Sequence, residues 1–249
     1  MKVVTWNVNG IRARQAQMQA LLDTHQPDVL CLQEIKASIE QLPVWLTDTE
    51  GYWCRWHGGK GYSGVALLVR RSGCPARPVY DHPAFDYEHR IVTARLPQAT
   101  IASVYVPNGG KDFDAKMRFL EALDRMAAEH EAAGSPVVLC GDLNVAHTER
   151  DIHPKERKPL GIGQRPDERA LFDRLLNRGL VDVHRKMEPD NADLFTWWPP
   201  WRQMRERNIG WRIDYVLASR SLADHTVSCV VEREFGTSDH APVVAVFDV

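Results

Sequence analysis

Short apolar runs rich in β-branched residues recur along this chain at about 2–8, 28–33, 62–70, 90–96, 100–106, 136–141, 212–217, 226–231 and 242–248. Their length and bounding turn residues predict strands. A different period appears at 112–132. There Phe113, Met117, Leu120, Leu123, Met126 and Ala127 repeat on one helical face, with Lys, Arg and Glu on the other. Arg14 to His25 and Asp167 to Arg178 are further helices, the second opened by Pro166. Pro97-Gln-Ala-Thr between two strand runs is a hairpin signal. Hairpins alternating with helices predict an α/β fold of mixed sheets covered by helices, rather than a purely parallel doubly wound sheet. No repeat, low-complexity tract or Gly/Ser linker divides the chain, so residues 1–249 are expected to form one domain.

Polar groups sit where the apolar runs end. Val3-Val-Thr-Trp6 stops at Asn7-Val-Asn9, and Asp28-Val-Leu-Cys-Leu32 stops at Gln33-Glu34. Pro136-Val-Val-Leu-Cys140 stops at Gly141-Asp-Leu-Asn144. Asp214 opens the run to Leu217, and Asp239-His240 precedes Val243 to Phe247. Carboxylates, amides and an imidazole gathered at strand ends are how a rigid sheet holds a site.

Composition changes this picture little. With 44% hydrophobic and 26% charged residues the chain has ordinary globular content, and 249 residues suffice for a sizeable core. A net charge of −2 argues weakly against a nucleic-acid partner. Local charge argues the other way. Trp201 to Arg212 carries Arg202, Arg205, Arg207 and Arg212 against Glu206, and Ile152 to Pro159 carries Lys155, Arg157 and Lys158 against Glu156. These runs read equally as a phosphate-contacting rim or as solvated loop charge. Five cysteines without Cys-x-x-Cys spacing predict neither a zinc site nor a disulfide framework. A strand at the very start and the lack of a long apolar run predict a cytoplasmic protein with no signal peptide and no membrane partner.

The strand-end residues suit phosphodiester hydrolysis, which needs a divalent cation, a base to generate hydroxide, and donors for developing charge. Mg²⁺ prefers hard oxygen ligands and is usually held by one or two carboxylates. Glu34 suits that task, with Asp239 as a second ligand. Asp142 and Asn144, two apart on an extended segment, point the same way, so one can accept a proton from water while the other orients it. His240 can donate to a phosphate oxygen, with Asp214 fixing its tautomer. Each residue alone also has a plain structural reading: Glu34 as a surface charge, Asp142-Leu-Asn144 as an Asx turn, Asp214 as a partner for Arg212. Their joint placement favours a site.

Seven segments in this order resemble the exonuclease III/apurinic-apyrimidinic endonuclease family, within the wider endonuclease–exonuclease–phosphatase superfamily. They are Trp6-Asn-Val-Asn-Gly10, Leu32-Gln-Glu-Ile-Lys36, Gly61-Tyr-Ser-Gly64, Val104-Tyr-Val-Pro-Asn108, Gly141-Asp-Leu-Asn-Val-Ala146, Asn208-Ile-Gly-Trp-Arg-Ile-Asp-Tyr215 and Ser238-Asp-His-Ala-Pro242. The resemblance covers essentially the whole chain. It implies a four-layer α/β sandwich: two mixed β-sheets packed face to face and flanked by helices.

The resemblance also implies roles. Glu34 matches the main Mg²⁺ ligand, with Asn7, Asn9 and Asp239 around the metal, and Mn²⁺ as a substitute ion. Asp142 matches the residue that activates or orients water, Asn144 its partner, and Tyr105 a phenol near the scissile phosphate. His240 with Asp214 matches a phosphate-polarising dyad. Arg12, Lys36, Tyr62, Arg90, Asn108, Lys111 and Trp201 fall in or beside segments that contact DNA. Trp197, Trp211 and Ile213 fall where an apolar pocket accepts an extruded abasic sugar, although core packing is an equal reading for Trp211. Three positions depart from relatives. Asn9 replaces an Asp at the metal, Lys111 replaces an Arg and loses its fork geometry, and Trp201 stands where others carry different apolar residues.

The implied activity is Mg²⁺-dependent hydrolysis of the phosphodiester 5′ to an abasic site in double-stranded DNA. Exonuclease action from 3′ ends and removal of blocking 3′ phosphates are expected alongside it, by a monomer. Two alternatives stand beside it: a predominantly 3′-5′ exodeoxyribonuclease, and a superfamily phosphoesterase with a non-DNA substrate. The Asn208-to-Tyr215 segment and Tyr105, where phosphoesterase relatives bear His, oppose the last. A non-catalytic DNA-binding scaffold is opposed by the intact set of polar groups.

Overall fold

The computed structural model describes residues 1–249. Twelve strands form two six-stranded mixed sheets. The first has the order β11 (Thr226–Val231), β12 (Val243–Phe247), β1 (Lys2–Asn7), β2 (Val29–Gln33), β4 (Val65–Arg70), β3 (Tyr52–His57). The second runs β5 (Val79–Asp81), β6 (Ile91–Arg95), β7 (Thr100–Tyr105), β8 (Val137–Asp142), β10 (Asp214–Ser219), β9 (Leu180–Asp182). Each sheet contains one parallel pair at its centre, β1 with β2 and β7 with β8, and all other pairs are antiparallel. The two sheets thus share one pairing pattern.

Alternation along the strands builds the layers. In β1, Val3 faces the core between the sheets, while Val4 and Trp6 face the outer core with α1 (Gln15–His25). In β8, Val138 and Cys140 join the inter-sheet core. Val137 and Leu139 pack outward under α3 (Phe113–Ala132) and α4 (Pro166–Asn177). Helix, sheet, sheet and helix follow in order, as the resemblance implied. A polar pin crosses the inter-sheet layer: Gln33 donates to the Ser103 hydroxyl at 3.1 Å, while accepting from Thr5 of its own sheet at 3.2 Å.

Strands β3, β5 and β9 were not anticipated. All three lie at or next to sheet edges, and β3 mixes Arg and His into Tyr-Trp-Cys-Arg-Trp-His, which blurs the period. Short helices α2 (Val44–Thr47), α5 (Val183–Met187) and α6 (Arg220–Ala223) also went unpredicted. The buried face of α3 differs from its apolar face. Lys116 and Asp124 are inside, and Phe113 and Met117 are only half-buried. Lys116 reaches Glu168 in a fully buried ion pair, and Asp124 is capped by Arg174 and Arg178. Paired charges satisfy one another and so tolerate burial that an amphipathic pattern assigns to solvent. No helix is long and apolar enough to cross a membrane.

Candidate active site

The parallel pairs explain where the site lies. Strands β1 and β2 end together, with Asn7 beside Gln33, and β7 and β8 end together, with Tyr105 beside Asp142. Asp214, the first residue of β10, stands opposite Asp142. Glu34 follows β2, and the Ser238–Ala241 segment leads into β12. Trp198 N–H donates to the Asp239 carbonyl, and Ala241 N–H donates to Thr196, fixing that segment over the cleft.

Hydrogen bonds knit these ends into one array. Asn7 Nδ2 donates to Glu34 Oε1 and Asp142 Oδ2, both at 2.9 Å, and so links the two sheets at their mouths. Its Oδ1 accepts from the Asn9 amide at 3.0 Å, and Asn9 Nδ2 donates to Asp239 Oδ1 at 2.8 Å. Asp142 Oδ1 accepts from the Asn144 amide at 2.9 Å. His240 Nδ1 lies 2.9 Å from Asp214 Oδ2, and its Nε2 lies 3.9 Å from Asp142 Oδ2. Asn9, Glu34, Lys36 and Asn144 all adopt left-handed backbone, at φ 43°, 50°, 51° and 51°. Non-glycine residues seldom hold that conformation unless their surroundings over-determine it. For Asn144 the surroundings are visible: its carbonyl accepts from Lys116 Nζ at 2.7 Å and its side-chain amide donates to Val106 at 2.9 Å.

Electrostatics separates the carboxylates. Burial pushes the Asp142 carboxyl up to about 8; His240 opposes this, while Asp214 and Glu34 add to it. Burial alone would lower His240. The charge and hydrogen bond of Asp214, with Asp142 and Asp239 nearby, instead lift it to about 10, so the ring is an imidazolium at neutral pH. Glu34 is held below the usual carboxylate range: burial acts against this, and His240, Asn7 and Lys36 outweigh it. Asp239 is lowered in the same way against burial by His240, Asn9 and Trp197. Burial, with Glu34 and Asp142, raises Tyr105 far above the ordinary phenol, so it stays a neutral donor.

The donor set fits a hard divalent cation. Lys36 Nζ lies 2.7 Å from Glu34 Oε2 and 2.6 Å from Asn9 Oδ1, so a positive charge is already seated among these oxygens. Glu34, Asp142 and His240 have ligand atoms within 4.8 Å of one another. The protonated, Asp214-bound ring makes His240 a donor to anions rather than a ligand, leaving oxygens to hold the ion.

Beside the polar array lies an apolar wall. Trp197 and Trp211 meet edge to face at 5.7 Å, paired through their backbones, and Ile213 packs behind them. Trp197 Nε1 donates to Asp239 Oδ2 at 3.0 Å. Ile162 and Gly163 complete a cavity of about 380 Å³ that also opens onto Glu34, Tyr105, Asp142 and His240. Gly163 is required there: at φ 85° a Cβ would stand 2.9 Å from the Trp211 ring.

The sequence of the chain between residues 4 and 240 matches the Endonuclease/Exonuclease/phosphatase family. The chain belongs to that family. It is 35% identical to an exodeoxyribonuclease of Bacillus subtilis (strain 168) over 259 residues, covering all of both chains. Among solved structures it superposes, at TM-score 0.91, 33% identity and full coverage of both chains, on the 3′ phosphatase NExo from Neisseria bound to product DNA hairpin. An AP endonuclease from Archaeoglobus fulgidus gives TM-score 0.89 and 31% identity, again over both whole chains. This family member therefore shares its entire length with nucleases of the exodeoxyribonuclease III type.

The remaining residues anticipated from sequence take varied positions. Arg12, Tyr62, Asn108, Lys111 and Trp201 are exposed, with Tyr62 at 51% and Trp201 at 56%. Arg90 is not: it is 2% exposed, pairs with Glu88, donates to Tyr62 Oη at 2.9 Å and lies 4.7 Å over the Tyr105 ring. Two arginines of the 201–212 run are also internal. Arg205 donates to the carbonyls of Arg233, Phe235 and Ser238, and Arg212 is fully buried between Asp151 and Asp182. Sequence reasoning missed Ile162, Gly163, Thr196 and Lys116. Thr196 Oγ1 accepts from the Ile213 and Asp214 amides, both at 3.0 Å, and seats the dyad. The Gly161-Ile-Gly163 spacing is a turn signal that could have pointed to Gly163.

Proposed function

We propose that residues 1–249 act as one catalytic domain that hydrolyses the phosphodiester 5′ to abasic sites in double-stranded DNA. The same site trims 3′ ends and removes blocking 3′ phosphates. The observation that carries this reading is the meeting of the two parallel strand pairs: Glu34, Asp142 and the Asp214–His240 dyad converge there beside the Trp197–Trp211 wall.

Glu34, with Asn9 and Asp239 beside it and Asn7 steadying it, is the place for Mg²⁺ or Mn²⁺. The bound ion supplies charge neutralisation to the phosphate. Asp142 in its ionised form takes the proton from the attacking water, and the Asn144 amide and Asn7 hold its carboxylate in place. His240 turns its Nε2–H toward the cleft and donates to a non-bridging phosphate oxygen, while Asp214 keeps the imidazolium oriented. Tyr105 adds a neutral phenolic donor. Arg12, Lys36, Tyr62, Asn108, Lys111 and Trp201 form the rim for the duplex, and Arg90 supports that rim from beneath through Tyr62 and Tyr105.

The apolar wall selects the substrate. A sugar without a base is small enough for the cavity between Ile162 and Trp211, and unstacking costs least where a base is already missing. The deciding experiment uses one duplex carrying an abasic analogue next to an intact recessed 3′ end, in Mg²⁺ and in chelator. Cleavage 5′ to the analogue that stops with chelator is the expected result. Trimming of the recessed end alone would make the protein an exodeoxyribonuclease, and cleavage of neither would remove DNA as the substrate.

A further inference from the structure

Away from the active site, a second group of metal-ligating side chains joins the edges of the two sheets. His57 ends β3, the edge strand of the first sheet, while His82 and Asp86 lie in the loop between β5 and β6 of the second. One ligand atom from each of the three lies within 4.8 Å of the others. His57 Nε2 is 2.6 Å from Asp86 Oδ2, and the His57 and His82 rings stack at 4.7 Å and 14°. His89 packs edge-on against His57 at 4.8 Å, which limits rotation of that ring.

Asp86 is built as a ligand would be. Its Oδ1 accepts from the Arg90 amide at 2.8 Å and the Ile91 amide at 3.1 Å, so Oδ2 is left for the imidazole side. A carboxylate oriented by outer hydrogen bonds is the usual support of a metal site. His57 and Asp86 side chains are 14% and 7% exposed, whereas His82 is open to solvent. Two imidazoles and one carboxylate suit zinc and its neighbours in the transition series far better than Mg²⁺, which takes oxygen ligands.

We propose that His57, His82 and Asp86 bind a zinc-class divalent transition metal, with water completing the coordination. No cysteine takes part. The metal ties the β3 edge to the loop that carries Glu88 and Arg90, and so stiffens the support beneath Tyr62 and Tyr105. The ligand set differs from the oxygen set at Glu34, so the two sites are separable by metal and by mutation.

The test titrates Zn²⁺ into the full-length protein in excess Mg²⁺, and follows Co²⁺ binding by its visible absorption. Wild type and Glu34→Gln should both take up one equivalent, with an imidazole-type Co²⁺ spectrum. His82→Ala, at an exposed loop position, should weaken that binding by more than the ~10–100-fold that loss of an outer-shell partner costs. It should also lose the rise in Tm that Zn²⁺ gives the wild type, while its Mg²⁺-dependent cleavage is unchanged. Identical isotherms and spectra for wild type and His82→Ala would overturn the proposal. So would an equivalent that disappears in Glu34→Gln alone, which would place the zinc in the active site.

Discussion

Two buried polar clusters lie two residues apart on the entry to β10, and they differ in how their charges balance. Around Arg212, two arginines meet two aspartates: Arg212 binds Asp151 and Asp182, and Arg185 binds Asp151. Around Asp214, four carboxylates (Glu34, Asp142, Asp214 and Asp239) face only His240 and Lys36. Burial works against the Asp151 anion, yet Arg212 and Arg185 hold its carboxyl well below the usual range. Burial on the other side wins at Asp142 and lifts it to about 8. A closed cluster stabilises the ions it contains and has nothing left to offer. An open one keeps unspent negative charge, a carboxyl whose pKa is lifted far from the ordinary range and room for a cation, which is what a hydrolytic site needs.

The contrast breaks if the open cluster turns out to matter for folding. Asp142→Asn keeps the size of the side chain and one of the two hydrogen bonds accepted from Asn7 and the Asn144 amide, but removes the proton acceptor. Turnover on abasic DNA should fall by ~10²–10⁴-fold with duplex affinity retained. Loss of affinity in step with turnover would reassign Asp142 to substrate holding. His240→Asn should behave in the same way.

The closed cluster should show the reverse. Arg212→Met leaves Asp182 without its buried partner and Asp151 with Arg185 alone, and removing one member of a buried pair costs about 3–5 kcal/mol. Denaturant unfolding should register that loss, while kcat measured well below the new Tm changes less than tenfold. A variant as stable as wild type would mean that water replaces the guanidinium.

His184 borders the closed cluster and sharpens it through pH. Burial, then Arg212, depresses its pKa to about 4, and both ring nitrogens lack partners. The unfolded chain binds a proton below about 6.5 that the folded chain refuses until about 4. Stability from this group is therefore complete above pH 6.5 and declines by roughly 3 kcal/mol as pH falls toward 4. Unfolding curves across that window should flatten in His184→Phe, and an unchanged slope would assign the effect elsewhere.

The cation half of the open cluster gives a smaller effect. Glu34→Gln should weaken Mg²⁺ by at least about tenfold, so cleavage falls at limiting metal and recovers in excess. Metal titration of activity checks this, and wild-type behaviour at limiting Mg²⁺ would move the ion away from Glu34. Smallest is the Trp wall. In Trp197→Ala the ratio of abasic to intact-nucleotide cleavage should drop by roughly tenfold. Equal depression of both activities, with lowered stability, would make Trp197 a packing residue only.

Much of the fold was legible because strand and helix periods are local. The runs at 28–33, 100–106 and 226–231 and the helix at 112–132 match β2, β7, β11 and α3 closely, and the four-layer arrangement followed from the family resemblance. Edge strands were not legible: β3 carries Arg55 and His57 and is only partly buried, so no clean alternation marks it. The polar residues at the strand ends could be identified singly, since motif and position are properties of a short segment. Lys116, Arg90 and Arg212 could not be placed, because each looks like a solvent charge until its partner is known. Those partners, Glu168, Glu88 and the Asp151–Asp182 pair, lie 52, 2 and 61 or 30 residues away.

By itself, then, the chain's sequence determined its strands, its main helices and the residue types that reach the strand ends, since these depend on neighbours a few positions apart. Tertiary structure alone decided that β1–β2 and β7–β8 open at one mouth, where Asn7 bridges Glu34 and Asp142. It also decided which buried charges are cancelled and which are left over. Coulomb and desolvation energies depend on distance through space and on the surrounding dielectric, and neither is written in the order of residues along the chain.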